Sequence, residues 1–273
     1  CPWAYIASRR IEVITARVGA QIIWTPVLLG GIYEATKAPQ DVMPGAKKAV
    51  NQKDFVRTLK RFDIPLKYHP KHPVRTVDSV RLLHATPPTH RAALTHALYQ
   101  LYWVQNADIT DRTLLLTTAR RLKIPYTQPL DDSLFADTRH HASLRAATAD
   151  AVRRGAPGVP SFWIPHGDAP DTGLLFWGQD RLHFVEASLA AMRVAADPMA
   201  WDTVPRIAEM YPRKATAAQA KAWAGRQRTL TYYYDFSSPW CYLAWTQMER
   251  VAREAGKGLK LELVPVLVGG LFR

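Results

Sequence analysis

The sequence predicts an α/β fold with a long helical insertion, present as one nearly complete copy followed by the start of a second. Three observations carry this reading: an internal repeat, a strand–helix–strand pattern around the repeated motif, and a central stretch whose composition turns helical. The repeat comes first. Cys1-Pro2-Trp3-Ala4-Tyr5-Ile6-Ala7 matches Ser238-Pro239-Trp240-Cys241-Tyr242-Leu243-Ala244, and Pro26-Val27-Leu28-Leu29-Gly30-Gly31-Ile32-Tyr33 matches Pro265-Val266-Leu267-Val268-Gly269-Gly270-Leu271-Phe272.

The second copy shows what surrounds the motif. Residues 231–236 are aromatic and of strand character. After Ser238 the chain is helix-forming until Gly256 and Gly258, and residues 259–268 read as another strand. Two strands joined through a helix pair in parallel, so the sheet is expected to be at least partly parallel. The first copy starts at the motif and is expected to lack the strand that would precede it, leaving a slot that residues 231–236 can fill within the chain or between two chains. A homodimer is the assembly that second arrangement allows.

From about 41 to 150 the segments 55–62, 91–104, 112–122 and 144–154 are rich in Ala, Leu and Arg with Pro between them, the pattern of a helical insertion. Strand signals return at 161–164 and 173–177, and a helix is expected over 182–194. The domain organisation is therefore 1–196 for the first copy, 197–228 for a linker rich in Pro, Ala, Lys and Arg, and 229–273 for the opening of the second.

Composition narrows the function. Hydrophobic residues make up 48% and charged residues 22% of the 273, the balance of a folded domain with a sizeable core. No apolar run reaches the roughly 20 residues of a membrane span. The net charge of +13 attracts anions, but the basic pairs Arg9-Arg10, Lys47-Lys48, Arg120-Arg121 and Arg153-Arg154 are scattered, which argues against nucleic acid. Two cysteines exclude a disulfide framework and a Cys-rich zinc site, and fit a reducing intracellular compartment, cytoplasmic or mitochondrial. His69, His72, His140 and His141 lack the Cys or carboxylate spacing of a metal site. A start at Cys1 and a stop after Gly270-Leu271-Phe272-Arg273 have the look of a fragment, so targeting is unreadable.

The chemistry is expected at the repeated motif. Cys1 opens a helix, where unpaired N–H groups and the positive end of the helix dipole favour a thiolate. Three residues on stands Ala4, where a dithiol motif would place a second sulfur. Copy two reverses the pair, with Ser238 first and Cys241 second, so neither copy can close a local disulfide. A hydroxyl such as that of Ser238 can instead donate to a thiolate borrowed from a substrate. Val159-Pro160 precedes a strand, where a cis bond would turn the Val159 backbone outward to pair with an extended peptide. Gly178-Gln179-Asp180-Arg181 opens the next helix. Its backbone donors suit a carboxylate and Asp180 suits an amine, while Lys37 and Lys47 can add positive charge.

These residues together resemble a family: the DsbA-related, thioredoxin-like kappa-class glutathione transferases and 2-hydroxychromene-2-carboxylate isomerases. The resemblance covers nearly all of residues 1–195. It rests on Cys1-Pro2-Trp3-Ala4-Tyr5, Leu28-Leu29-Gly30-Gly31, Trp103 through Asp108-Ile109, Leu144-Arg145, Gly158-Val159-Pro160 and Gly178-Gln179-Asp180-Arg181, in family order. It implies a thioredoxin-like fold with an inserted helical domain, and glutathione as cosubstrate bound between the two. Cys1 takes the position that activates the thiol, and Val159 beside Pro160 pairs with the glutathione backbone. Asp180 and Arg181 hold its γ-glutamyl end, with Gln179, Trp3, Lys37 and Lys47 completing that site. A small aromatic electrophile is expected against Trp3 and Trp103. Three positions depart from the family: Cys1 replaces its usual Ser, Lys37 an Asn, and Ala147 a frequent Asn. The outcome can be isomerisation, transfer, or thiol–disulfide exchange through Cys1, and a tandem module that only binds a partner is the non-enzymatic alternative.

Overall fold

The computed structural model describes residues 1–38, 45–167, 169, 171–203, 216–254 and 258–271. Of the sequence expectations, the helix stop at Gly256, the repeat position Phe272 and the start of the insertion at Asp41 lie outside the described residues. The chain divides into two compact units, Cys1–Tyr211 and Pro212–Arg273.

In the first unit, α1 (Pro2–Val18) starts at a proline, whose missing N–H is no loss in the first turn, and stops at Gly19, which takes φ 65°. α2 (Leu29–Thr36), α3 (Gly45–Phe62), α4 (Val77–Ala85), α5 (Pro88–Trp103), α6 (Arg112–Arg121), α7 (Ser133–Ala136) and α8 (Thr138–Arg153) follow. Asp111 and Asp137 cap α6 and α8, each accepting the N–H two residues on. The strands β1 (Ser161–Pro165) and β2 (Gly173–Trp177) pair antiparallel, and α9 (Leu182–Ala195) closes against them.

Two hydrophobic cores meet on α1. Tyr5 and Ile6 join the helical core with Leu82, Leu94, Leu98, Trp103, Leu115 and Phe135, whereas Ala7, Ile11 and Ile14 join a smaller core with Ile164 of β1 and Leu182 and Val185 of α9. Arg17 near the end of α1 makes a two-pronged contact with Glu186 of α9, at 2.8 and 2.9 Å, and the Glu186 side chain is only 4% exposed.

Residues 20–28, which match the second-copy strand, alternate in exposure as strand residues do. Ile22 and Trp24 pack on the smaller core while Ile23 is 85% exposed. Among the described residues they pair with no strand, so the sheet of this unit is the antiparallel β1–β2 pair and not a parallel one. The unit also runs past residue 196, because Trp201 stacks on Phe184 of α9 at 4.9 Å and donates from its indole N–H to the Ser188 hydroxyl at 2.9 Å.

In the second unit, α10 (Ala217–Trp223) places a helix in the stretch expected as linker. β3 (Arg228–Tyr234), α11 (Pro239–Glu254), β4 (Leu259–Pro265) and the single turn α12 (Val268–Leu271) follow. β3 and β4 are parallel, as a crossover through one helix requires, with Arg228 opposite Leu259 and Tyr234 opposite Pro265. The segment considered as a filler for the first copy is thus paired inside its own unit.

Ile14 is fully buried and its neighbour Val13 is 59% exposed. Ile14→Ala is expected to destabilise the first unit by about 3 kcal/mol and Val13→Ala by under about 0.5, measured by urea unfolding. Arg17→Ala leaves the Glu186 carboxylate buried without its guanidinium, and the same titration should show a loss of about 2 kcal/mol, less than a fully buried pair gives because Arg17 is partly exposed.

Candidate active site

The first turn of α1 meets the segment before β1. Cys1 is the N-cap of α1, half-buried, and its Sγ lies 3.4 Å from the carbonyl oxygen of Val159, to which the thiol donates. The Val159–Pro160 peptide is cis. The segment is pinned on both sides: the Ser161 hydroxyl donates to the Gly158 carbonyl at 2.7 Å and the Gly178 N–H to the Pro160 carbonyl at 2.9 Å. Gly158 also lies under Trp177, where an added Cβ would meet the indole nitrogen at 3.1 Å, so only glycine fits without a shift. Among the described residues, neither the N–H nor the carbonyl of Val159 enters a backbone–backbone hydrogen bond, which leaves an open edge beside the thiol.

The Gly178–Arg181 turn behaves differently from the sequence expectation at one position. Gln179 is 8% exposed and faces inward, its side-chain and backbone oxygens both accepting from Arg10 of α1, whose guanidinium lies 3.7 Å over the Phe62 ring. Arg10 thereby occupies the group that was expected to reach a ligand. Asp180 and Arg181 remain at the surface with side chains 60% and 46% exposed, 3.6 Å apart. Lys37 ends α2 at φ 55° and is exposed, as is Lys47 on α3. The structure brings together Cys1, Trp3, Val159 and Pro160. It places the two lysines at the surface, with no hydrogen bond or ion pair to that group among the described residues.

Trp3, half-buried on the first turn of α1, opens a chain of rings. It meets Phe55 of α3 edge-on at 5.2 Å, Phe55 meets Tyr68 at 6.3 Å, and Tyr68 meets His72 at 5.4 Å and Trp103 at 5.8 Å. Trp103 is only 1% exposed, so a substrate cannot touch it. It lies beneath Tyr68 and His72, and these two, missed in the sequence, form the surface it was expected to provide. The His72 Nδ1 lies 3.0 Å from the Tyr102 hydroxyl, and the Tyr102 ring stacks on His69 at 4.4 Å. Burial pushes the Tyr102 phenol up to about 12. Burial, with the charge of His69 beside it, pushes His72 below its usual value. The signal that could have found His72 was its spacing of four from Tyr68 in a Pro-rich loop, which has no regular periodicity to read.

The described residues hold no cluster of three or more His, Cys, Asp or Glu suited to a metal ion, and none of their helices is long and apolar enough to cross a membrane.

In the second unit Ser238 precedes α11, and its hydroxyl accepts the Cys241 N–H at 3.4 Å. A cavity of about 410 Å³ lies beside it, lined by Tyr232, Tyr234, Asp235, Phe236, Cys241, Tyr242 and Trp245. The Asp235 carboxyl accepts the Val268 N–H and both the N–H and the hydroxyl of Ser237, which hold its pKa below the ordinary value. Hydrogen bonds from the Asp235 backbone and then from Ser238 and Tyr232 lower the Cys241 thiol as well.

Residues 1–190 match the family model of the DSBA-like thioredoxin domain. The chain belongs to this family. It is 24% identical over 197 residues to a 2-hydroxychromene-2-carboxylate isomerase from Sphingobium xenophagum, an alignment that covers 69% of this chain and 92% of the relative. Among solved structures it is similar to a 2-hydroxychromene-2-carboxylate isomerase, with a TM-score of 0.58 at 18% identity over 71% of this chain and 91% of the other. It is also similar to a probable DsbA oxidoreductase from Streptomyces coelicolor, with a TM-score of 0.51 at 19% identity over 76% and 88%. Cys1 and Val159, which stand in contact, both lie within the matched residues.

Cys241 is expected to be alkylated by iodoacetamide with a midpoint below the ~8.5 of a free thiol. Ser238→Ala should move that midpoint upward; an unchanged midpoint would show that the hydroxyl does not stabilise the thiolate. Asp235, depressed in the folded unit, contributes stability that is complete above the ordinary ~3.9 of a free carboxyl and is lost as pH falls through its folded value. Asp235→Asn should flatten the acid limb of a thermal melting series.

Proposed function

We propose that the chain is a glutathione-dependent isomerase or transferase that adds a thiolate to a small aromatic electrophile. The observation that carries the reading is the meeting of the Cys1 helix start with the backbone of Val159, whose carbonyl takes the Cys1 thiol and which makes no backbone–backbone hydrogen bond among the described residues, next to a wall of rings beginning at Trp3. An extended tripeptide thiol fits such an edge by strand addition, with its sulfur at the positive end of α1. Asp180 and Arg181 are charged, exposed and close together, as the γ-glutamyl amine and carboxylate require. The homology to a 2-hydroxychromene-2-carboxylate isomerase supports an aromatic, conjugated substrate.

A second reading is thiol–disulfide exchange through Cys1 alone. It is favoured by the cysteine itself, which stands unpaired at the helix start with Ala4 three residues on. Without a resolving thiol nearby, exchange would stop at a mixed disulfide that an external thiol must release.

Calorimetry with glutathione separates these readings. Saturable binding that Asp180→Ala weakens about fivefold, the scale of one exposed ion pair, is the expected result. Cys1→Ser should keep that binding and keep thiol addition to an aromatic enone, because a hydroxyl can also donate to the bound thiolate. Loss of all activity in Cys1→Ser, with mixed-disulfide reduction in the wild type, would establish the second reading. A folded wild type that neither binds glutathione nor reduces disulfides would leave only a binding module.

A further inference from the structure

The His72–Tyr102 pair satisfies a buried phenol through one imidazole nitrogen and leaves the other nitrogen uncommitted. Tyr102 is 4% exposed and its ring is already fixed by stacking on His69 and by edge contact with Trp103 at 4.7 Å. Its hydroxyl nevertheless reaches the Nδ1 of His72, a half-buried residue of the ring wall that begins beside Cys1. The Nε2 on the far side of that imidazole makes no hydrogen bond among the described residues and is not among their wholly buried unpartnered atoms.

The tautomer follows from elementary accounting. With the phenol protonated and the imidazole neutral, the single proton between them belongs either to the hydroxyl or to Nδ1. If Nδ1 carried it, the buried phenol hydrogen would have no acceptor, a cost of the kind folded proteins avoid. If the hydroxyl donates, every group is satisfied, and the ring proton must sit on Nε2. His72 is then a neutral N–H donor on the ring wall that begins at Trp3.

We propose that His72 is a catalytic residue whose Nε2–H donates to the carbonyl oxygen of a conjugated aromatic substrate, with Tyr102 as the positioning residue that sets its tautomer. This rests on the glutathione reading above and assigns the other half of the chemistry. When the thiolate sulfur adds to the β-carbon, a C–S bond forms and the C=C π pair shifts toward the carbonyl, leaving an enolate oxygen. His72 holds that oxygen through its N–H without giving the proton up. Rotation about the former double bond and departure of the sulfur complete an isomerisation; protonation of the α-carbon by water completes a transfer. A neutral donor suits both outcomes, since an enolate that is never fully protonated can reverse. It also makes the substrate class specific: a carbonyl conjugated with an aromatic ring, small enough to lie against Tyr68 and Phe55.

The test uses the full chain, glutathione and 4-phenyl-3-buten-2-one as the probe. Wild type should catalyse addition, His72→Phe should lower kcat about 10²-fold with little change in KM, and His72→Gln, which restores an N–H, should recover part of that loss. The titratable groups around the imidazole are Tyr68, His69, Lys71, Tyr102 and Asp108. Nitrogen NMR on the neutral imidazole, recorded at pH 8, should therefore show the Nε2–H form in the wild type and a mixture of tautomers in Tyr102→Phe. Catalysis by wild type that His72→Phe leaves unchanged overturns the role of His72 and leaves the glutathione reading standing. Glutathione addition absent from the wild type overturns both. An Nδ1–H tautomer overturns the pairing with Tyr102, even if a variant proves too unstable to assay.

Discussion

The arrangement of the first unit depends on α1 being packed into two cores at once. Its buried residues run almost continuously from Tyr5 to Ile11, and they divide between two cores: Tyr5 and Ile6 toward the inserted helices, Ala7, Ile11 and Ile14 toward β1 and α9. A helix with one apolar stripe can slide or rotate against its partner, but a helix gripped from two directions cannot. The rigidity matters because the first residue of that helix carries the thiol. Arg10 extends the same logic with polar atoms, reaching Gln179 at the end of β2 while covering Phe62 of α3. The turn that bears Asp180 is thus tied to the helix that bears Cys1.

The sequence revealed those parts of this arrangement that depend on local chemistry. Prolines at the starts of α1, α5 and α11, the glycine after α1, and the short apolar runs of β1 and β2 are signals that a residue and its near neighbours supply. The repeat exposed the helix-start motif and its partner block without any structure. What the sequence concealed depends on distant partners. Residues 20–28 have the pattern of a strand and no pairing, because a strand is defined by its neighbour as well as by its own alternation. Gln179 looked like a ligand residue until Arg10, 169 positions away, was found to claim it. Trp103 drew attention as a large aromatic, yet its size is what places it deep in the helical core, and the smaller Tyr68 and His72 cover it.

The two helix-start motifs divide one piece of chemistry in opposite ways. Cys1 faces the carbonyl of Val159, a residue on the far side of the insertion, whereas Ser238 spends its hydroxyl on the helix that it begins. In the first case the reactive atom points to a neighbouring segment and is available to a ligand. In the second it caps a backbone N–H, and the sulfur of Cys241 inherits the acidifying surroundings.

The contact between Cys1 and Val159 closes a loop of 158 positions. Of the helices between them, α8 reaches back to α2 and α4, while α4 meets α5 and α5 meets α6 as near neighbours in sequence. Contacts of that kind form early and cheaply, while closure of a long loop waits on the search of the whole chain. The Cys1–Val159 contact therefore depends on long-range closure, as does the packing of α8 on α2 and α4. A ribosome-bound chain would hold Cys1 and the inserted helices while still lacking Val159 and β1, so the thiol gains this partner only after that segment has emerged.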